Sequence, residues 1–276
     1  MDIKCIALDL DRTTLNAEGR LSPGNRQALE CAIAQGIHII IASGRAFDSL
    51  PRDVLAVPGI AYAITSNGAA VYHVPTGKRL HGYLLEPQSV QDILRLTSRE
   101  PIAYEAFIEG VAYADAGYVR DPVAHGATWQ AIPYIQRTRH PEADIRGFML
   151  AHIHELDSLD LVVGDEAAKV RIWANLQKAV PGVYITSSVQ QLIEISHQDA
   201  GKHSGVRYVT ELLGLSPAQT AAFGDGDNDA DMLRYVGCGI AVANASPACL
   251  AAADYVTASH DQDGVAQGIH NILRIF

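Results

Sequence analysis

The chain has little that would tie it to an oxidising compartment, a membrane or a nucleic acid. Four cysteines stand in 276 residues, Cys5, Cys31, Cys238 and Cys249, and none forms a Cys-x-x-Cys pair. Such spacing offers neither a zinc clasp nor a redox motif, so they are read as buried reduced thiols. No apolar run reaches the roughly 18 residues that a membrane span needs. The first residues lack a basic stretch followed by a long apolar segment, so no signal peptide is expected and the expected location is the cytoplasm. Positive charge is the minority: 21 Lys and Arg stand against 31 Asp and Glu, a net charge of −10. A chain of that sign repels phosphate backbones and anionic bilayers, so neither nucleic acid nor membrane is expected as a partner. A small anionic substrate stays open wherever a local cation reverses the field. Internal repeats and low-complexity tracts are missing, and nothing speaks to oligomeric state. What is there, 48% apolar and 19% charged residues, is an ordinary globular composition. Its length suits one large domain or two modest ones.

Short apolar runs alternate with helical patterns at both ends. Residues 3–8 (IKCIAL) read as a strand ending at Asp9, and 22–35 as a helix capped by Ser22, with Pro23 in its first turn and Gly36 closing it. Residues 37–42 (IHIIIA) are apolar on both faces, as a parallel strand between two helical layers must be. A short helix near 46–53 and a strand near 60–65 follow, and Asn67-Gly68 turns the chain into a returning strand. Further on the alternation resumes with a helix at 203–213, a strand at 219–223, a helix at 229–236, a strand at 239–243, a helix at 246–252, a strand at 254–257 and a helix at 263–274. The middle differs. It reads as a helix at 87–99, a hairpin at 101–114 turning at Glu109-Gly110, an irregular stretch at 116–143, a strand-rich stretch at 148–163, a helix at 165–179 capped by Asp165, and two strands within 183–195. The expected fold class is α/β: a Rossmann-like parallel-sheet core over 1–83 and 192–276, split by an inserted α+β domain over 84–191.

Chemistry gathers where strands are expected to end. Asp9 and Asp11 follow the first strand, and if the strand persists through Asp9 they share a face. Ligands of open α/β sheets bind beyond the carboxyl ends of the strands. Asp225, Asp227 and Asp229 in "FGDGDNDADM" stand at the end of another expected strand. If the two ends are neighbours, several carboxylates converge and must hold protons or bind a cation. An all-oxygen set suits Mg²⁺. A calcium loop is excluded, because the positions that need Gly and Glu hold Ala230 and Val236. Ser43 ends the second strand and Lys202 opens a helix. Each piece has an ordinary reading by itself: a turn or cap for Asp-x-Asp, a cap for Ser43, a solvated surface residue for Lys202. Together they fall at strand-to-helix transitions in one order: Asp-x-Asp, Ser, Lys, Gly-Asp-x-x-Asn-Asp.

That order resembles the haloacid dehalogenase superfamily of phosphohydrolases, and within it the Cof-type branch, which carries a large α+β cap inserted after the third core strand. The resemblance rests on "DLDRTTL" (9–15), "ASGR" (42–45), "TSNGA" (65–69), "GKHSG" (201–205), "FGDGDNDADML" (223–233) and "VANAS" (242–246), with "ADYVT" and "DGVAQGI" after them. Over the cap it is architectural only. It implies that Asp9 is the nucleophile that forms an aspartyl-phosphate, and that Asp11 protonates the leaving group and then activates water, its carbonyl facing the metal. Asp11 is expected inside the like-charge cluster. Ser43 and Gly44 would meet the phosphoryl group, and Lys202 would pair with its charge and that of Asp9. Asp225 would ligate Mg²⁺ directly, with Asn228 and Asp229 holding metal-bound water or orienting Lys202. Asp227 falls at a variable place in the motif and is left out.

The sequence departs from this pattern at two points. Arg12 stands where the family usually has Gly. An Arg can take ordinary loop dihedrals, so the site need not be disabled, and the side chain either lies solvated or paired with an acidic neighbour, or touches the substrate. His203 stands where Gly commonly follows the lysine, and no catalytic role is expected of it. His152-x-His154 shows no third metal ligand and is read as packing or surface. Of Tyr104, Phe107, Tyr113, Trp129 and Tyr134, most are read as cap core. The implied activity is Mg²⁺-dependent hydrolysis of a small phosphorylated metabolite, a sugar phosphate. A phosphotransferase or phosphomutase on the same scaffold is the alternative. A non-catalytic sensor of phosphorylated ligands ranks behind both, because Asp9, Asp11, Lys202 and Asp225 are all present.

Overall fold

A computed structural model describes residues 2–275. The chain starts with β1 (Cys5–Leu8), α1 (Pro23–Ala34), β2 (His38–Ala42), α2 (Arg52–Leu55), β3 (Tyr62–Thr65), β4 (Ala70–His73) and β5 (Lys78–Gly82). It continues through α3 (Pro87–Leu96), β6 (Ala103–Ile108), β7 (Val111–Asp115), α4 (Ala116–Arg120), α5 (Ile132–Thr138), β8 (Arg139–Glu142), α6 (Ile145–Ala151), β9 (Leu156–Val162), α7 (Glu166–Ala179), β10 (Val183–Thr186) and β11 (Leu192–His197). It ends with α8 (Lys202–Leu212), β12 (Thr220–Gly224), α9 (Ala230–Tyr235), β13 (Cys238–Val242), α10 (Pro247–Ala252), β14 (Tyr255–Thr257) and α11 (Gly264–Gly268). Two compact units divide these elements. One holds the described residues up to Arg45, Leu50–His81 and those from Gly201 on, and the other holds Ala46–Ser49 and Gly82–Ala200.

In the first unit one sheet runs in the order β14-β13-β12-β1-β2-β3-β4-β5. The strands from β14 to β3 are parallel, and β4 returns antiparallel on β3. All four residues of β1 are fully buried, as an apolar strand with helices on both faces must be. Leu8, its last residue, lies beside Ile41 on one side and Phe223 on the other. The chain builds outward from β1 through β2 to β3, and later outward from β12 through β13 to β14. The strand order therefore reverses between β1 and β12, where a crevice opens beyond the carboxyl ends. Local signals support these elements: the Ser22 hydroxyl accepts from the Asn25 N–H at 3.1 Å to cap α1, with Pro23 behind it. The expected C-terminal helix is shorter, because after α11 the residues Ile269–Leu273 widen into a π-type turn.

The second unit has its own sheet, in the order β10-β11-β9-β6-β7-β8. Its pairs are antiparallel except β7 with β8. Alternate residues Tyr104, Ala106, Leu159, Leu161, Ile193 and Ile195 pack in one cluster with Ile93, Ile145, Met149, Ile172 and Leu176 from α3, α6 and α7. The hairpin does turn at Glu109-Gly110, both with positive φ. The strand-rich reading of 148–163 fails in its first half, where α6 forms, because the Asp144 carboxylate accepts from the Gly147 N–H at 2.9 Å and starts a helix. His152 closes that helix and meets Glu155 at 3.0 Å, so His152 and His154 do not share a strand face. The stretch read as irregular holds α4, α5 and β8. Tyr104 and Phe107 are buried, whereas Trp129 is 72% exposed and is not core.

The other face of this sheet carries an unusual row. Glu105, Asp160 and Glu194 stand in register on the adjacent strands β6, β9 and β11, all buried. Arg139 answers Glu105 with two hydrogen bonds of 3.0 and 2.7 Å. Burial pushes the Asp160 carboxyl well above the usual carboxylate range, Glu194 and Glu105 push further, and Arg139 opposes them. A carboxyl with a raised folded pKa holds its proton more tightly in the folded chain. Its penalty is absent in acid and grows as pH rises through the ordinary aspartate range. Asp160→Asn should therefore raise the melting temperature of this unit at neutral pH and leave it unchanged near about pH 3. Thermal unfolding at the two pH values checks this, and an equal shift at both would refute it.

Candidate active site

β1 stops at Leu8 and Asp9 continues it in extended conformation, its N–H donating to the Phe223 carbonyl at 3.0 Å. The chain then widens into a single π-type turn over Leu10–Thr14. Thr14 locks this turn by donating from its hydroxyl to the Asp9 carbonyl at 2.6 Å. Thr13 donates to Asp225 Oδ1 at 3.1 Å, joining the turn to the end of β12. The strand does not persist long enough to put both aspartates on one face. Asp9 points inward and is 5% exposed, whereas the Asp11 side chain is 53% exposed.

The inward cluster is built around Lys202, the first residue of α8. Its ammonium, with no exposed surface, donates to Asp9 Oδ1 at 2.7 Å and to Asp229 Oδ1 at 2.6 Å. The other Asp229 oxygen accepts the N–H groups of Asp225 and Gly226, both at 3.0 Å. Gly224 makes that approach feasible, because a Cβ there would lie 2.5 Å from the Asp229 Cβ. Asp9, Asp225 and Asp229 bring one carboxylate oxygen each within 4.8 Å of one another. Burial raises the Asp9 carboxyl well above its usual range; Asp229 and Asp225 add to the rise and Lys202 opposes it. Asp225 is pushed up to about 7, first by burial and then by Asp229, against Arg12, Lys202 and the Thr13 hydrogen bond. Burial works against the Lys202 ammonium, but Asp229 and Asp9 outweigh it and its pKa is raised. One ammonium faces three carboxyl groups, so they must hold protons or take up a further cation.

The remaining expected residues divide. Asp11 lies outside the acidic cluster in which it was expected. Arg45 grips it instead, Nε to Oδ2 at 2.8 Å and Nη2 to Oδ1 at 2.5 Å. Ser43 is buried at the end of β2, next to β1, and its hydroxyl accepts from the Arg45 N–H at 3.2 Å. Gly44 lies in the bend between them. Asn228 is buried and donates to Asn67 Oδ1 at 2.9 Å. Asp227 accepts from Ser246 and stays outside the cluster. Arg12 does not take the ordinary loop dihedrals expected of it: its φ of 59° and ψ of 13° are left-handed. For a residue other than Gly that conformation costs of order 1–3 kcal/mol. Its Nε lies 3.8 Å from Asp225 Oδ2, and the side chain is 60% exposed.

Two contributors have no role in the sequence reading. Arg45 stands in the "ASGR" motif, and Asn67-Gly68 in "TSNGA" reads as a hairpin turn, yet it also ties the site together. The Asn67 N–H donates to the Ser43 carbonyl at 3.1 Å, and the Asn67 carbonyl accepts from Gly201 at 2.9 Å, just ahead of Lys202. Gly68, at φ 92°, passes so close to Gly201 that a Cβ would meet its carbonyl oxygen at 2.0 Å. The signal was the position of Asn-Gly at the carboxyl end of β3, beside the other motif ends.

A buried lysine bridging carboxylates at the switch point of a parallel sheet is the arrangement that the motif order, with its resemblance to the haloacid dehalogenases, implied. The chain belongs to that family: the model of the haloacid dehalogenase-like hydrolases matches residues 6–269. It is of the Cof type that the motif order implied. Among curated relatives, the phosphatase YwpJ of Bacillus subtilis (strain 168) is 28% identical over 290 residues, covering 98% of this chain and 100% of that one. The 5-amino-6-(5-phospho-D-ribitylamino)uracil phosphatase YcsE of the same organism is 26% identical over 271 residues, covering 98% and 96%. Among solved structures, a haloacid dehalogenase-like hydrolase from B. subtilis superposes with a TM-score of 0.83 at 24% identity over 98% of this chain and 100% of that one. The subclass IIB sugar phosphatase BT4131 gives 0.82 at 21% identity over 99% and 100%.

Removing the ammonium tests the cluster directly. Lys202→Met leaves three buried carboxylates without it and should cost about 3–5 kcal/mol of stability in chelator. Adding Asp229→Asn to that variant should recover part of the loss. Chemical unfolding measures both, and an unchanged midpoint for Lys202→Met would mean that Lys202 does not hold the cluster.

Proposed function

We propose that the protein is a Mg²⁺-dependent phosphomonoesterase that acts on a small phosphorylated metabolite, a sugar phosphate, through an aspartyl-phosphate at Asp9, in the cytoplasm. The observation that carries this reading is Lys202 bridging Asp9 and Asp229 while Asp225 stands within the same cluster. The phosphatase relatives support the reaction class, and the names of YcsE and BT4131 support a small polyol or sugar leaving group. The free cysteines and the lack, among the described residues, of a helix long and apolar enough to cross a membrane agree with the location.

The donor chemistry fits a hard divalent cation. Asp9, Asp225 and Asp229 offer only oxygen, and they are held together against their own repulsion. Asp9 and Asp225 would be direct ligands. Asp229 spends one oxygen on Lys202 and the other on two N–H groups, so it orients Lys202, with Asn228 beside it. A bound Mg²⁺ would offset the repulsion among these carboxylates and polarise the phosphoryl oxygens.

The chain's own residues supply the rest. Lys202 holds the Asp9 carboxylate in one orientation, with Oδ2 left for attack on phosphorus. Ser43 and Gly44, at the end of the neighbouring strand, receive the phosphoryl oxygens. Asp11 gives a proton to the departing oxygen and later takes one from water. It must leave the Arg45 grip to do so, and Arg45 returns it to place afterwards. Positioning and charge neutralisation supply most of the rate enhancement in such transfers.

Asp9→Asn should lower kcat on p-nitrophenyl phosphate by at least about a thousandfold. Asp11→Asn should let a ³²P label from substrate accumulate on the protein after acid quench. Undiminished turnover by Asp9→Asn would remove the nucleophile role. Transfer of phosphate to an added sugar in preference to water would turn the assignment to a phosphotransferase. A screen of phosphorylated sugars then names the substrate.

A further inference from the structure

Position 12 combines a left-handed backbone with a long cation, although the related motif places Gly there. Its backbone is fixed: the Arg12 carbonyl accepts from Asn244 Nδ2 at 2.9 Å, and Thr13 and Thr14 pin the residues after it. Its side chain is not, being 60% exposed. Consecutive residues therefore attend to the two oxygens of one carboxylate. Thr13 takes Asp225 Oδ1 at 3.1 Å, and the Arg12 guanidinium stands 3.8 Å from Oδ2. The Asp225 side chain is 11% exposed, so water screens it little.

We propose that Arg12 is a built-in counter-cation of Asp225 that weakens the binding of a divalent ion at this site and makes it depend on ionic strength. The inference rests on the reading of Asp225 as a metal ligand. A dication on Asp225 must displace the guanidinium or tolerate it nearby. With Gly at position 12 the carboxylate would keep only the Lys202 ammonium near it. For a cation within about 5 Å of the ion, even the Coulomb term at the dielectric of water, which applies because the guanidinium end of the pair is exposed, corresponds to roughly a tenfold change in affinity. Because the guanidinium is exposed, salt screens that effect.

The test is calorimetric titration of Mg²⁺ into the chelator-stripped full-length protein and four variants, Arg12→Gly, Arg12→Asn, Arg12→Lys and Asp225→Asn, at low and high ionic strength. Gly removes both charge and backbone strain. Asn removes the charge but keeps a side chain that tolerates left-handed backbone, and Lys keeps the charge. Arg12→Gly and Arg12→Asn should both bind Mg²⁺ about tenfold more tightly than the parent at low salt, with the gap closing at high salt. Arg12→Lys should stay near the parent, and Asp225→Asn should bind weakly. Equal affinity in the parent and Arg12→Asn, or tightening in Arg12→Gly alone, overturns the proposal and leaves the metal reading standing. No Mg²⁺ binding by the parent or any variant overturns both.

Discussion

One buried ammonium organises the core. Lys202 has no exposed surface and joins Asp9, 193 residues away, to Asp229, 27 residues away. Taking such charges out of water costs several kcal/mol per ion unless each is paired and hydrogen-bonded. Every nearby element meets that demand. β1 and β12 lie side by side so that Asp9 and Asp225 reach one point, and α8 begins at the residue that must face them. The pairing is nevertheless incomplete, because one ammonium faces three carboxyl groups. Burial and the mutual repulsion raise Asp9 and Asp225, a strain that protons or a divalent cation would relieve.

Bringing these loops so close leaves no room for side chains where they cross. Gly68 and Gly201 pass within a distance that excludes a Cβ, and Gly224 leaves space for the side chain of Asp229. Asn67, also left-handed, uses its N–H, its carbonyl and its side chain to bind Ser43, Gly201 and Asn228. The loops after β2, β3 and β12 and the start of α8 thus form one hydrogen-bonded plate, and its stiffness keeps Lys202 aligned. Preorganisation of this kind makes charged groups effective in a water-poor site.

Much of this was legible in the sequence because both periodicity and motif order bear directly on it. The apolar runs at 3–8 and 37–42, rich in Ile and bounded by turn signals, read as strands covered on both faces, and the acidic and basic motifs fell where strands end. The misreadings share a physical origin. The segment 148–151 looks like a strand by hydrophobicity, and a single cap at Asp144 makes it a helix. β5, Lys78–Gly82, escaped notice because it is polar and lies at the sheet edge, where alternation against a core is weak. The role of Asn67 and the Arg45–Asp11 pair depend on contacts across 161 and 34 residues, which no local pattern encodes.

The pair of aspartates at 9 and 11 shows how a backbone turn decides chemistry. Two carboxylates can take different roles in one reaction only if their surroundings differ. Here the difference comes from one event: the strand ends at Leu8 and the chain widens over Leu10–Thr14. Asp9 goes inward to Lys202, and Asp11 goes outward to Arg45. The turn that separates them requires a left-handed residue within it, at position 12, and a Gly would supply that conformation without strain. An Arg there carries that strain and adds a guanidinium that a Gly lacks. The ion pair that its guanidinium makes is with Asp225, a member of the same acidic cluster as Asp9. The strained backbone and the added charge therefore meet at one place: the turn sets the two aspartates apart, and the guanidinium stands beside a carboxylate of the cluster.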